Sequence, residues 1–123
     1  MGNPHDVDIM DEVQVKAVIT GTWSHFQVFP DTSAQEMRIA ILSDGTFQAH
    51  IGFTLPDNSI GDYRYSGSWR YSKGSINCRV NVSTAPDIVP VGFTTVDKIL
   101  RLTQLELVLI DGITDRSQVF DRE

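Results

Sequence analysis

The sequence contains one cysteine, few basic residues and no long apolar run. Cys78 cannot form an intramolecular disulfide, and its place in the alternating segment SINCRVNVS indicates a small buried side chain rather than a reactive thiol. Lys and Arg number 10 against 16 Asp and Glu, which gives a net charge of −6. No basic run is present to replace the counterions of a phosphate backbone, so we expect no nucleic-acid partner. No stretch reaches the roughly 18 consecutive apolar residues of a membrane helix, so no transmembrane segment is expected.

The length and composition indicate one folded domain spanning residues 1–123. Hydrophobic residues make up 41% and charged residues 21%, which are ordinary proportions for a globular chain. The start of the chain, MGNPHDVDIMDE, is acidic and lacks the pattern of a signal peptide. The protein is therefore either cytoplasmic or an envelope or secreted protein whose leader has been removed. We expect residues 1–5 to be disordered or to derive from cloning.

Residues 6–19 favour a short helix that leads into the tripeptide GTW. Val13 and Ala17 are spaced for one helical face, and either Asp6 or Asp8 would serve as the N-cap. The same segment also shows the alternation of a strand, so a strand is the alternative.

After this segment the pattern is almost entirely that of β-strands. Apolar residues alternate on both sides of Asp44-Gly45, and Asp-Gly between such runs predicts a hairpin with a type I′ turn. Further turns are predicted at Lys73-Gly74, near Thr103-Gln104 and at Asp111-Gly112. The prolines of segment 84–95 indicate a loop. About eight strands joined by short turns predict an all-β fold, an antiparallel up-and-down barrel.

The only two tryptophans each follow a glycine and a small hydroxyl residue, in GTW at 21–23 and GSW at 67–69. Gly21 and Gly67 would let the backbone bend or approach a neighbouring strand closely. Trp23 could then turn inward and fill the narrow end of a barrel with a large flat ring.

The order of several short motifs resembles that of bacterial lipocalin-like domains of the calycin group. The motifs are GTW, LSDGTF, YSGSW, KILRLTQLELVL and a terminal VFDR, and the resemblance covers residues 19–123. It implies that Trp23 plugs the closed end of the barrel and that an arginine packs across it, Arg122 first and Arg116 second. A barrel of eight strands either fills itself with side chains or holds one small ligand.

The candidate ligand contacts are residues whose position in the alternation faces the interior. They are Phe29, Met37, Phe47, Ile51, Phe53, Tyr65 and Trp69, with His25 added because it lies two residues after Trp23. The hydroxyls of Tyr63, Tyr65 and Tyr71 favour a cavity over a dry core, although positions at the rim would explain them equally well. The histidines at 5, 25 and 50 share no metal-ligand spacing, and no catalytic pair or phosphate loop is present, so we expect no metal, no cofactor and no catalytic residue.

The sequence is compatible with three functions, which we give in the order in which the residues favour them. The first is a binding protein for a small apolar or amphipathic ligand. The second is a non-enzymatic interaction module with a filled barrel, which contacts a protein partner through loop 84–95. The third is a cyclase or isomerase that uses the barrel as its site. The oligomeric state, monomer or homodimer, stays open.

Overall fold

A short helix leads into the barrel in the computed structural model, which describes residues 11–123. Helix α1 (Glu12–Ile19) begins where Asp11 accepts the backbone N–H of Gln14 at 2.8 Å and the side chain of Gln14 accepts that of Asp11 at 3.0 Å. This reciprocal pair is a capping box. Asp11 is thus the N-cap, in place of the Asp6 or Asp8 that the sequence suggested. Those two residues, like residues 1–5, lie outside the described part of the chain.

Eight strands follow and form one closed antiparallel barrel, which confirms the predicted all-β fold. They are β1 (Gly21–Val28), β2 (Ala34–Ile41), β3 (Thr46–Thr54), β4 (Ile60–Ser72), β5 (Ser75–Ser83), β6 (Thr94–Leu102), β7 (Glu106–Ile110) and β8 (Ser117–Arg122). Each strand pairs with the next, and β1 pairs with β8 to close the ring. Within residues 11–123, no helix has the length and apolar character needed to cross a membrane.

Three hairpin turns share one local device, in the segments FPDTS (29–33), LSDGT (42–46) and LPDNS (55–59). In each, the aspartate carboxylate accepts the backbone N–H of the residue two positions later, at 2.9–3.0 Å. The residue between them has a positive φ of 72°, 87° and 68° respectively. The Asp44-Gly45 turn is therefore not of type I′, which needs positive φ at both central residues. The turn is held instead by the carboxylate of Asp44, which accepts the N–H of Thr46.

The Lys73-Gly74 turn does have positive φ at both residues, 50° and 82°, as a type I′ turn requires. It joins the paired residues Ser72 and Ser75 at the ends of β4 and β5. The Asp-Gly signal and the type I′ geometry therefore occur at different hairpins of this barrel.

A bulge interrupts the pairing of β4 with β5 between Ser66 and Gly67. A Cβ on Gly67 would overlap the backbone carbonyl of Arg79, so only glycine fits this close approach. The extra residue reverses the alternation of β5 beyond Val80. Val82 would share a face with Cys78 and Val80 if the alternation of β5 were regular, but it is 61% exposed on the outside.

The turns divide between two ends of the barrel. Helix α1, the turns 42–45, 73–74 and 103–105 and the end of β8 lie at one end, which we call the closed end. The segments 29–33, 55–59, 84–93 and 111–116 lie at the other, which we call the open end. Val15, Ile19, Trp23, Phe47, Leu102 and Leu107 are the largest fully buried side chains.

Candidate functional site

The closed end is sealed by Trp23 and Arg122. The indole of Trp23 is fully buried and its Nε1–H donates to the carbonyl of Ile19 at 2.8 Å. The guanidinium of Arg122 lies 4.2 Å from the centroid of the Trp23 ring, a cation–π contact. It also donates to the carbonyls of Val18 and, at 3.1 Å, Thr20. Together the two side chains satisfy carbonyls at the end of α1 that the helix itself leaves unpaired.

Gly21 makes this arrangement sterically possible. Its φ of 147° lies in a region that side chains rarely adopt, and a Cβ there would overlap the guanidinium of Arg122. Arg122 rather than Arg116 occupies this place, because Arg122 is the residue that pairs with Trp23 across β1 and β8.

Trp69 also belongs to the closed end. It is buried, and its Nε1–H donates to the carbonyl of Leu42 at 2.8 Å, next to the 42–45 turn. Trp69 is therefore a core residue, and it is not among the residues that line the cavity described next.

The open half of the barrel contains a cavity of about 230 Å³. Four of the eight expected contact residues line it: Met37, Phe47, Ile51 and Tyr65. Loops 84–93 and 111–116 contribute Val89, Phe93 and Ile113 at its mouth. The barrel is thus filled by side chains at one end and hollow at the other.

Two of the expected contacts, Phe29 and Phe53, lie outside this cavity wall. Phe29 is the first residue of the β1–β2 turn, where its N–H donates to the carbonyl of Ser33 at 2.8 Å. The ring of Phe53 lies against Gly61 on β4, and its centroid is 6.4 Å from that of Tyr63. Both lie next to turns at the open end, where alternation along a strand is a poor guide to which side chains reach the interior.

His25 does not line the cavity either; it lies in the seam between β1 and β8. These strands pair only at Trp23–Arg122 and Ser24–Asp121, and beyond that point they separate. The Nδ1 atom of His25 lies 2.9 Å from the carbonyl oxygen of Val119, and Nε2 is buried with no hydrogen-bond partner among residues 11–123. The ring thus lies where β8 no longer pairs with β1.

The architecture matches a solved structure, that of a lipocalin-like protein from Bacteroides uniformis. The TM-score is 0.56, and the match covers 86% of this chain and 99% of that one. The chain has a lipocalin-like β-barrel fold. The sequences are 16% identical, so the likeness is one of fold. No protein-family model and no curated protein sequence matched the chain.

Several polar groups of the lipocalin-like barrel face its cavity, and sequence analysis missed most of them. Gln35, Tyr63, Cys78, Thr95, Asp97, Asp111 and Gln118 all contribute to the wall. Asp97 had a detectable signal, because it alternates with Thr95 and the buried Ile99 along β6. Asp111 had none, since it stands in a turn, where aspartates are common for local reasons.

Burial dominates the electrostatics of this wall. It raises the pKa of the Asp97 carboxyl; the N–H of Gly112, which donates to Asp97 at 2.9 Å, opposes the shift, and the charge of Asp111 adds to it. Burial also raises the pKa of the Cys78 thiol to about 12, with a further contribution from the nearby charge of Asp97. A thiol with a raised pKa is protonated near neutral pH, the form that is the weaker nucleophile.

A second concavity, of about 430 Å³, lies on the outer face of β2, β3 and β4. Arg38, His50 and Arg64 stand directly opposite one another across these strands. The guanidinium of Arg38 is paired with Glu123 at 2.8 Å, and Nε2 of His50 lies 2.8 Å from a carboxylate oxygen of Asp62. This depression is open to water and two of its three basic groups already have acidic partners, so it is a weaker candidate than the interior.

Among residues 11–123, no group of three or more His, Cys, Asp or Glu side chains stands close enough to hold a metal ion.

Proposed function

We propose that this lipocalin-like barrel binds one small amphipathic molecule in the cavity at its open end. The observation that carries the proposal is the cavity itself, a space bounded by apolar side chains such as Met37, Phe47 and Ile51 and by polar groups from several strands. That combination is typical of small-molecule sites. The volume is below the roughly 300 Å³ at which drug-sized sites begin. The occupant is therefore a molecule of one or two rings or a short chain, rather than a long-chain lipid.

Binding without chemistry fits the wall better than catalysis. Neither of the described histidines lines the cavity, because His25 sits in the β1–β8 seam and His50 faces outward. The Cys78 thiol is protonated, as described above. A cyclase or isomerase would need a positioned acid or base near its substrate. Carboxylates and tyrosines of the wall can take that role, but nothing in their arrangement favours a reaction over binding, so we propose binding alone.

Native mass spectrometry of the protein as purified, before and after extraction with organic solvent, tests the proposal. We expect a small additional mass at one copy per chain that extraction removes. The extracted protein should then take up one molecule of naphthylmethanol, a neutral two-ring probe. If the protein carries no small molecule and the extracted protein does not take up the probe, the proposal is wrong.

Filling the cavity should abolish that uptake. Met37 faces the interior from β2, so Met37→Trp places a large ring in the cavity, and we expect at least a tenfold loss of naphthylmethanol affinity, about 1.4 kcal/mol. Glu36→Trp adds the same ring to the exposed face of the same strand and serves as the matched control. Titration calorimetry on folded samples makes the comparison. Equal affinity of the two variants would place the probe outside the barrel.

A protein partner at loop 84–95 is the second candidate, because this loop presents apolar residues to water. Ile88 and Val91 are 62% and 61% exposed, whereas Val89 packs inward against the core. The hollow interior argues against the filled barrel that this function was expected to have. The candidate gains support if the cavity takes up no small molecule. An Ile88→Asp, Val91→Asp double variant, which leaves the barrel wall intact, should then lose partner capture.

A further inference from the structure

The charged side chains of the cavity wall are all acidic. Two carboxylates, Asp97 from β6 and Asp111 from the β7–β8 turn, contribute to it. No lysine, arginine or histidine is among the described residues that line it. In most binding sites a carboxylate in this position has a cationic or donor partner, because burying an unpaired charge is costly. This wall supplies backbone N–H donors but no cation, so a cationic partner would have to come from outside.

Each carboxylate keeps one oxygen without a donor among the described residues. Oδ1 of Asp97 accepts the N–H of Gly112 at 2.9 Å, and its other oxygen accepts a hydrogen bond from none of the described residues. Oδ1 of Asp111 accepts the N–H of Ile113 at 2.8 Å and that of Thr114 at 3.3 Å, again leaving the second oxygen without a donor. The turn thus positions both carboxylates through backbone contacts while leaving acceptor capacity at the cavity.

Two tyrosine rings share the cavity wall with these carboxylates. The rings of Tyr63 and Tyr65 stack on β4, with centroids 6.5 Å apart and planes 21° from parallel, and both line the cavity. Tyr65 lines the same cavity as Asp97 and Asp111, and burial is the main cause that raises the pKa of its hydroxyl. The face of an aromatic ring attracts cations, as carboxylates do.

An occupant of this cavity displaces the water that solvates Asp97. A purely apolar occupant would leave the ionised carboxylate without a partner, and an anionic one would add repulsion from both acids. An ammonium group removes both penalties because it donates hydrogen bonds to the free oxygens and neutralises the charge.

We propose that the ligand is a cationic amphipath, a small organic amine whose ammonium group contacts Asp97 and Asp111 beside Tyr65. Its apolar part lies against Met37, Phe47 and Ile51. This inference rests on the proposed function and names the ligand class of the same cavity.

A series of probes with one apolar body and three charges tests the inference. Naphthylmethylamine, naphthylmethanol and naphthoate are titrated separately into the solvent-extracted protein by calorimetry. We expect the amine to bind at least about tenfold more tightly than the alcohol, since a charge-assisted hydrogen bond replaces a neutral one, and naphthoate to bind most weakly. If the alcohol or naphthoate binds as tightly as the amine, the inference is wrong while the proposed function stands. If none of the three binds, both fail.

Variants locate the effect on the carboxylates. Asp97→Asn keeps the acceptor for Gly112 but removes the charge, so it should lower the affinity for the amine to that for the alcohol and leave the affinity for the alcohol unchanged. Asp87→Asn removes the same charge from an exposed position of loop 84–93 and is the matched control. A Tyr65→Phe variant keeps the aromatic face and should retain the preference for the amine. Loss of that preference in Asp87→Asn to the same degree as in Asp97→Asn would overturn the inference, because it would show an effect of net charge alone.

Discussion

The two ends of the barrel treat their polar groups in opposite ways. At the closed end, the N–H groups of Trp23 and Trp69 each donate to a backbone carbonyl at 2.8 Å, and Arg122 donates to carbonyls at the end of α1. At the open end, Asp97 and Asp111 face a cavity with acceptor oxygens that no described residue donates to. Buried polar groups are normally paired within the protein. The closed end follows that rule, whereas Asp97 and Asp111, which are only half-buried, keep acceptor oxygens that an external ligand could use.

The residues that stabilise the fold and those of the proposed binding site thus lie at different ends of the barrel. The large aromatic and aliphatic side chains that anchor the fold lie at the closed end, where little space remains. The open end gives up packing and keeps a hollow of about 230 Å³. Mutations at the two ends should therefore have different consequences.

The largest effect should come from the closed end. Trp23→Ala removes a fully buried ring, the hydrogen bond to Ile19 and the surface on which Arg122 packs, and should lower the free energy of unfolding by about 3–5 kcal/mol. Chemical denaturation measures this. Tyr63→Ala truncates an aromatic ring at the open end and should cost less than half as much, since that ring already borders a cavity. Equal losses would contradict the division between the two ends.

An intermediate effect should come from the bulge that shapes the barrel wall. Gly67→Ala forces a methyl group against the carbonyl of Arg79 and should cost about 1–3 kcal/mol. Gly52→Ala is the matched control, because nothing lies within 4 Å of a Cβ at that position of β3. Its effect should stay within about 0.5 kcal/mol. If denaturation midpoints fall equally for both variants, steric exclusion at the bulge is not the reason for the glycine.

The smallest effect on stability should come from Asp97, and it should depend on pH. Burial raises the pKa of this carboxyl in the folded chain above its ordinary value of 3.8, so the folded state holds a proton over a range where the unfolded state does not. The contribution of Asp97 to wild-type stability therefore falls as pH rises through that range. Asp97→Asn should be at least as stable as wild type at pH 7 and should lose this advantage below pH 3.8. A variant markedly less stable at pH 7 would show that the charge stabilises the fold.

Much of this fold could be predicted from short-range patterns. Alternation along β2 to β5 and the Asp-Gly and Lys-Gly pairs locate the hairpins, because both signals act within a few residues. The place of Trp23 followed from the glycine before it and from the family resemblance. The type of the Asp44-Gly45 turn was missed, because a side-chain hydrogen bond to Thr46 sets its geometry.

The cavity was harder to predict than the barrel. Alternation alone assigned Phe29 and Phe53 to the interior, but near the mouth the loops decide which side chains point inward, and Val89 and Phe93 take those positions. One bulge moved Val82 from the inner to the outer face. The carboxylate of Asp97 is held in place by the N–H of Gly112, which lies fifteen residues away in sequence. These features arise from packing between distant segments, which residue patterns do not record.

The most direct test of the contrast uses the two tryptophans as reporters. In a nitrogen–proton correlation NMR titration with naphthylmethanol, we expect saturable shifts at the backbone amides of Ile51, Val80 and Asp97, around the cavity. The chemical shifts of the indole N–H groups of Trp23 and Trp69 should not change, because both groups donate hydrogen bonds to carbonyls at the closed end. Absence of saturable shifts, or shifts confined to Arg38 and Arg64 on the outer face, would contradict a ligand site inside the open end.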